Sequence, residues 1–253
     1  MSHTEPATEV RAWYEGGAAD GITLRENMAA WQRIRLLPRV LRPLADSHSH
    51  VTLLGREWPC PLLVAPMAYQ CAVHPHGEQA TALAAAALGA GLVLSCQAST
   101  PLSQVARLHL SDAGRGPLWF QLYLQADRAA TLSLVREAEA AGFEALVLTV
   151  DAPVQGVRDR ERAAGFRLPP GVTAVNLPQA PAQDLPALLA RAPTWDDVAW
   201  LRSITRLPVL LKGVAHPDDA RQALACGAAG LIVSNHGGRT LDTVPATAAL
   251  LPR

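Results

Sequence analysis

The stretch RAATLSLVREAEAAGFEALVLTVD, from Arg128 to Asp151, lays out the repeating unit of the fold. Arg128–Ala141 carries an Ala-rich helical pattern, and Gly142 follows where a left-handed cap ends a helix. Phe143 then leads into Ala145–Val150, an apolar run with no polar alternation. Such a run is a strand buried on both faces, as a parallel sheet requires. The unit recurs in both directions. Apolar runs at Pro61–Ala65, Gly91–Ser95, Leu118–Tyr123, Pro208–Lys212 and Gly230–Ser234 alternate with helical patterns near Gly77–Leu88, Pro101–Leu108, Trp195–Thr205 and Pro217–Cys226. Gly89 and Gly227 hold the same capping position as Gly142. Strands alternating with helices are β/α units.

Every apolar run ends in residues suited to chemistry: Pro66-Met67, Ser95-Cys96-Gln97, Gln121-Leu122-Tyr123, Thr149-Val150-Asp151, Lys212-Gly213 and Ser234-Asn235-His236-Gly237-Gly238-Arg239. A (β/α)8 barrel builds its site on the C-terminal ends of many strands, whereas an open doubly wound sheet uses a few ends at one switch point. Six consecutive decorated ends predict an α/β fold of the (β/α)8 TIM-barrel type. Residues 61–253 hold about six β/α units of roughly 32 residues each, where closure takes eight. The expectation is therefore an incomplete barrel with open edges. Residues 1–60 are expected to form an N-terminal helical segment, and 61–253 the partial barrel. A Pro-, Ala- and Gln-rich loop is expected at 168–193, of the length of a lid. Asp20-Gly21 marks a turn, after which Thr23 is expected to cap a helix beginning near Leu24.

Composition narrows the function. Of 253 residues, 49% are hydrophobic and 17% charged, which suits a buried core and excludes disorder. Lys plus Arg and Asp plus Glu each total 22, so no basic field exists to attract nucleic acid. No apolar run approaches the ~18 residues of a membrane span, and Met1–Val10 lacks an apolar signal core. Cys60, Cys71, Cys96 and Cys226 show no CxxC and no paired spacing with histidine. Reduced thiols, a cytoplasmic location and no metal site are the corresponding expectations. Arginine supplies all the cations but one, Lys212.

Several strand ends carry candidate chemistry, each beside a plainer reading. Lys212 closes an apolar strand; it reads as a snorkelling lysine, a Schiff-base amine or a positive charge beside a cofactor. His236 follows a strand directly and suits a general base, with Gly237 and Gly238 letting backbone approach a ligand. Those glycines also read as serving only the turn. Arg239 suits bidentate grip of a carboxylate. Asp151 is placed to orient a histidine, or to cap the next helix. Arg158 offers a second guanidinium, although Arg158–Arg162 also reads as a solvated charged run. Gln121 and Tyr123 share one face of their strand, with Tyr123 alternatively a core ring. The main chain at Ala65–Ala68 and the Ser95 hydroxyl offer further hydrogen bonds, and Trp13-Tyr14 is placed to cover one end of the barrel. Together these suggest proton abstraction next to a carboxylate. No side chain here accepts two electrons, so a redox reaction needs a cofactor. No GxGxxG follows a strand, which excludes a Rossmann nicotinamide site.

The motifs Tyr14-Glu-Gly-Gly-Ala18, Thr23-Leu-Arg-Glu-Asn27, Ala65-Pro66, His74-Pro-His-Gly-Glu78, Phe120-Gln-Leu-Tyr123, Leu148-Thr-Val-Asp151, Leu211-Lys-Gly-Val214 and Ser234-Asn-His-Gly-Gly-Arg239 appear in that order. From Trp13 to Arg253 the chain resembles the FMN-dependent 2-hydroxy-acid oxidases and dehydrogenases. The resemblance implies oxidation of an L-2-hydroxy acid to the 2-oxo acid, with FMN as cofactor and oxygen or a quinone as electron acceptor. It implies His236 as the base, Asp151 as its orienting partner, and Arg158 and Arg239 as the grip on the substrate carboxylate. Tyr123 would hydrogen-bond the substrate, and Lys212 would stand near the flavin N1/O2 edge. Pro66, Met67, Ala68, Ser95, Gln121, Thr149 and Ser234 would cradle the flavin. Trp13 stands where the family commonly has a substrate-binding tyrosine, Met67 where many members have threonine, and Gln97 where several have tryptophan. The family's phosphate-binding Asp-Gly-Gly-x-Arg-Arg-Gly segment, and its later Gly-Arg pair, do not occur within the 253 residues. Weak FMN binding by this chain alone is therefore expected. The alternatives are a non-catalytic barrel fragment, half of a split enzyme whose partner supplies the phosphate site, and a flavin-assisted isomerase. A homo-oligomer is the expected assembly.

Overall fold

The computed structural model describes residues 5–178 and 184–252. Two helices, α1 (Thr8–Glu15) and α2 (Ile22–Arg33), come first. A two-stranded antiparallel hairpin follows, β1 (Val51–Leu53) and β2 (Arg56–Trp58). The chain then enters β3 (Leu63–Val64), α3 (Gly77–Ala87), β4 (Gly91–Ser95), α4 (Leu102–Leu110), β5 (Leu118–Leu122), α5 (Arg128–Ala141) and β6 (Ala145–Thr149). Short helices α6 (Asp159–Ala163) and α7 (Leu185–Ala190) precede α8 (Trp195–Ser203), β7 (Val209–Val214), α9 (Pro217–Ala225), β8 (Gly230–Val233) and α10 (Thr247–Leu250).

Strands β3 to β8 form one parallel sheet in sequential order, six strands of a (β/α) barrel, with β3 and β8 at its edges. β4, β5 and β6 are buried at every position, the physical reason for their unbroken apolar sequences. Their outward side chains, including Leu92, Leu94, Phe120, Leu122, Leu146 and Leu148, pack under the surrounding helices. Each such side chain stabilises the fold by about 1.5–3 kcal/mol. The inward set alternates with it. Val93, Trp119, Ala145, Val147 and Leu210 form a second cluster with Trp58. Trp58 meets Trp119 edge-on at 5.3 Å, so the hairpin plugs the end of the barrel interior opposite the strand C-termini. Above this layer the inward residues turn polar: Ser95, Gln121, Thr149 and Lys212, all buried.

Three local expectations are corrected. Residues 1–60 are not wholly helical: 51–58 make the hairpin, whose turn places Leu54 (φ 51°) and Gly55 (φ 73°) both in the left-handed region. Thr23 lies inside α2 and does not cap it. Asp242 supplies the cap across the fold, accepting hydrogen bonds from the Ile22 and Thr23 amides at 3.1 and 2.8 Å. The Thr23 hydroxyl instead donates to the Val244 carbonyl at 3.0 Å. Within the loop expected at 168–193, Leu185–Ala190 is helical and capped by Asp184, which accepts from the Ala187 amide; residues 179–183 of that loop lie outside the described residues. No helix among the described residues is long and apolar enough to cross a membrane.

Candidate active site

The polar inward residues lie side by side because the strands are in register. Ser95 pairs with Gln121 across β4 and β5, and Thr149 pairs with Lys212 across β6 and β7. The Ser95 hydroxyl donates to Gln121 Oε1 at 2.9 Å, while Gln121 Nε2 is buried with no hydrogen-bond partner among the described residues. Burial pulls the Lys212 ammonium below the ordinary lysine range, and Asp151 opposes that shift.

Asp151 follows β6, and His236 follows β8 two strands away. His236 Nδ1 and Asp151 Oδ1 lie 2.8 Å apart. An ionised carboxylate only accepts, so Nδ1 carries the shared proton, and in the neutral imidazole Nε2 keeps its lone pair. Two backbone features hold this pair. His236 sits at φ 56°, a region open to few residues other than glycine, and its amide donates to Ser234 Oγ at 3.0 Å. Gly213 forms a bulge in β7 at φ 107°, and a Cβ there would fall 2.4 Å from Asp151 Cβ. Glycine at 213 is what lets Asp151 lie against the strand that presents Lys212.

The two arginines arrive from different loops. Arg158 precedes α6 and pairs with Glu161 at 3.0 Å; both side chains are largely buried. Arg239 donates to the Gly16 carbonyl at 2.7 Å, and its guanidinium lies 5.0 Å from the Trp13 ring. Burial, and then the charge of Arg158, pull Arg239 down to about 10, with Glu161 opposing. The two guanidiniums therefore share one neighbourhood, and Arg158 Nε and Arg239 Nη2 are buried without hydrogen-bond partners among the described residues. Tyr123 joins them: burial raises its hydroxyl above the ordinary range, Cys96 and Asp151 add to that, and Arg158 and Arg239 oppose it. Tyr123 thus feels both the carboxylate of the His236 pair and the two arginines. His236, Asp151, Lys212, Tyr123, Arg158 and Arg239 form one electrostatically connected group at the strand C-termini.

The N-terminal segment closes one side. Trp13 stacks on Phe166 at 5.4 Å and meets Tyr14 edge-on at 4.6 Å. The Tyr14 hydroxyl lies 2.8 Å from both the Ala68 and Tyr69 carbonyls, fixing the Pro66–Ala68 main chain, while Met67 points outward at 45% exposure. The Ala18 amide donates to the Gly238 carbonyl, and that of Ala19 to Val157, each at 2.7 Å. The loops carrying Arg158 and Arg239 are thereby tied to the same strand of backbone.

Residues to which the sequence alone assigns no role complete the frame. Glu78, at the start of α3, is fully buried. It accepts from the Gln70 and Ser99 amides at 3.0 and 2.8 Å and from the Thr100 hydroxyl at 2.8 Å, joining the loops after β3 and β4. Asn27 and Asn235 exchange amide hydrogen bonds at 3.0 and 2.8 Å, seating α2 against the loop of His236. Glu161 was hidden in a charged run, but a helical turn puts Arg158 and Glu161 inward while Asp159, Arg160 and Arg162 stay exposed. Its three-residue spacing from Arg158 was the available signal. No group of three or more His, Cys, Asp or Glu side chains among the described residues is placed to hold a metal ion.

The chain matches the family model described as FMN-dependent dehydrogenase over residues 3–253. It is 49% identical over 251 residues to an L-lactate oxidase of Roseobacter sp. (strain GAI101), covering 95% of this chain and 66% of that protein. It is 43% identical over 247 residues to the glycolate oxidase of Spinacia oleracea, covering 93% and 66%. Among solved structures it is similar to a mandelate oxidase mutant with the C4a-OH-FMN adduct, with a TM-score of 0.86 and 39% identity over 98% of this chain and 70% of that one. The chain spans about two thirds of the length of these relatives.

Proposed function

The chain belongs to the FMN-dependent dehydrogenase family, and from that premise we propose that its site serves the oxidation of an L-2-hydroxy acid to the 2-oxo acid. The observation that carries this reading is the His236–Asp151 pair, 2.8 Å apart, with Tyr123 in the field of both Asp151 and two guanidiniums whose buried nitrogens lack partners among the described residues. A carboxylate supplies the acceptors those nitrogens lack. The buried Gln121 Nε2 donor and the desolvated Lys212 ammonium, on strands either side of Thr149, fit the oxygen- and nitrogen-rich edge of a flavin ring. Ser95, Gln121, Thr149, Lys212, Ser234 and the Pro66–Ala68 main chain would hold that ring.

The reaction removes two electrons and two protons from R–CH(OH)–COO⁻ and leaves R–CO–COO⁻. FMN, when bound, supplies the two-electron acceptor that no side chain provides, and oxygen fits the oxidases among the relatives as the terminal acceptor. Arg158 and Arg239 grip the carboxylate and fix the α-carbon in the site. Tyr123 hydrogen-bonds the substrate. His236 Nε2 takes a proton from the hydroxy acid, and Asp151 stabilises the imidazolium that results. Lys212 would hold a positive charge beside the bound ring.

The test is to titrate the chain with FMN and then add L-lactate, glycolate or L-mandelate in the absence of oxygen. Bleaching of bound flavin by at least one acid supports the reading. Bound flavin that stays yellow with all three, or a chain that takes up no flavin, contradicts it.

A further inference from the structure

Glu161 has no part in the chemistry above, yet its largely buried carboxylate pairs with Arg158 and acts electrostatically on Arg239. It lies 3.0 Å from Arg158, raises the Arg239 guanidinium against the pull of burial, and keeps its Oε2 without hydrogen-bond geometry. The other acids nearby are committed elsewhere: Asp151 faces His236 and Lys212, and Asp159 faces Arg162 on the exposed side of α6. The local sum around the substrate carboxylate is then two guanidiniums against one carboxylate, a single net positive charge.

Resting on the function proposed above, we propose that Glu161 sets the charge class of substrate, matching the site to monoanionic 2-hydroxy acids and against dicarboxylic ones. A monoanion neutralises the single excess charge. A second carboxylate on the ligand meets, among the described residues, no further cation than Lys212, which faces Asp151, and Glu161 repels it in a buried setting where like charges are weakly screened. Glu161 acts through the arginines and is a positioning and selectivity residue, not a catalytic one.

Oxamate and oxalate test this directly. They are nearly the same size, carry one and two negative charges, and have no C–H bond to oxidise. Their dissociation constants are measured by calorimetry on the FMN-supplemented chain and on its E161Q and E161D variants. The proposal expects E161Q to shift the oxalate-to-oxamate preference toward oxalate by about tenfold, because the site gains one uncompensated charge. E161D keeps the charge and the original ratio. A ratio unchanged in E161Q, or both ligands weakened alike, overturns the selectivity role and leaves the substrate reading standing. Failure of the unaltered chain to bind either anion overturns both.

Discussion

Asp151→Asn is the perturbation that probes the site most sharply. The carboxylate accepts from His236 Nδ1 at 2.8 Å, with both side chains mostly shielded from solvent. Asparagine keeps the volume and removes the charge. Its amide can donate toward Nδ1, which moves the imidazole proton to Nε2 and removes the lone pair that takes the substrate's proton. The lost charge has its own effect. Opposite charges about 4 Å apart at an effective dielectric of about 20 attract by about 4 kcal/mol, close to a factor of 10³ in rate. Combined with the wrong tautomer, the expected fall in turnover is about 10³–10⁴-fold. Oxamate affinity should change by no more than a few fold, since the arginines are untouched. The assay is the anaerobic rate of flavin bleaching at saturating hydroxy acid, with nitrogen-15 spectra of the imidazole reporting its tautomer. A fall of less than tenfold, or an Nδ1 proton still present in the variant, would refute the assigned role of Asp151.

Other consequences follow from the same geometry. Glu78→Gln turns a fully buried acceptor of three or more hydrogen bonds into a group with a misplaced donor, so urea unfolding should show a loss of at least about 1.5–3 kcal/mol; a loss below about 0.5 kcal/mol would mean the loops after β3 and β4 do not depend on it. Lys212→Met removes the buried ammonium that faces Asp151, so FMN affinity should fall; a flavin titration giving the same affinity as the unaltered chain would count against its place beside the ring. The Asp242 carboxyl is held below its ordinary 3.8 by the Thr23 amide, with the Ile22 amide adding to it. Its contribution is complete above that ordinary value and disappears as pH falls through the lower folded value. Acid unfolding of Asp242→Asn should therefore be less steep in that window, and a profile matching the unaltered chain would count against the cap.

The barrel strands were legible because burial on both faces leaves no room for polar alternation, and Gly91–Ser95 and Ala145–Thr149 emerge within a residue of their sequence reading. The strand-end residues were legible for a related reason. A polar side chain closing an apolar strand, as Lys212 does, has few purposes other than the mouth of the barrel. Long-range pairing was not legible. Nothing beside Thr23 indicates that Asp242 would reach the α2 terminus first, and a glutamate in the first turn of α3 reads as an ordinary helix preference until two loops close over it. The hairpin escaped notice because its turn places leucine, not asparagine or glycine, at the first left-handed position. At Arg158–Arg162 composition suggested a solvated face, while one helical turn divides the run into two inward and three outward side chains.

A crystal structure of the chain with FMN and oxamate bears most directly on whether these loops make a single substrate site. The oxamate carboxylate should lie between the Arg158 and Arg239 guanidiniums, with its far end within hydrogen-bond reach of His236 Nε2 and Tyr123. An anion bound elsewhere, with Arg158 still paired to Glu161 and Arg239 still on the Tyr14 and Gly16 carbonyls, would contradict the account.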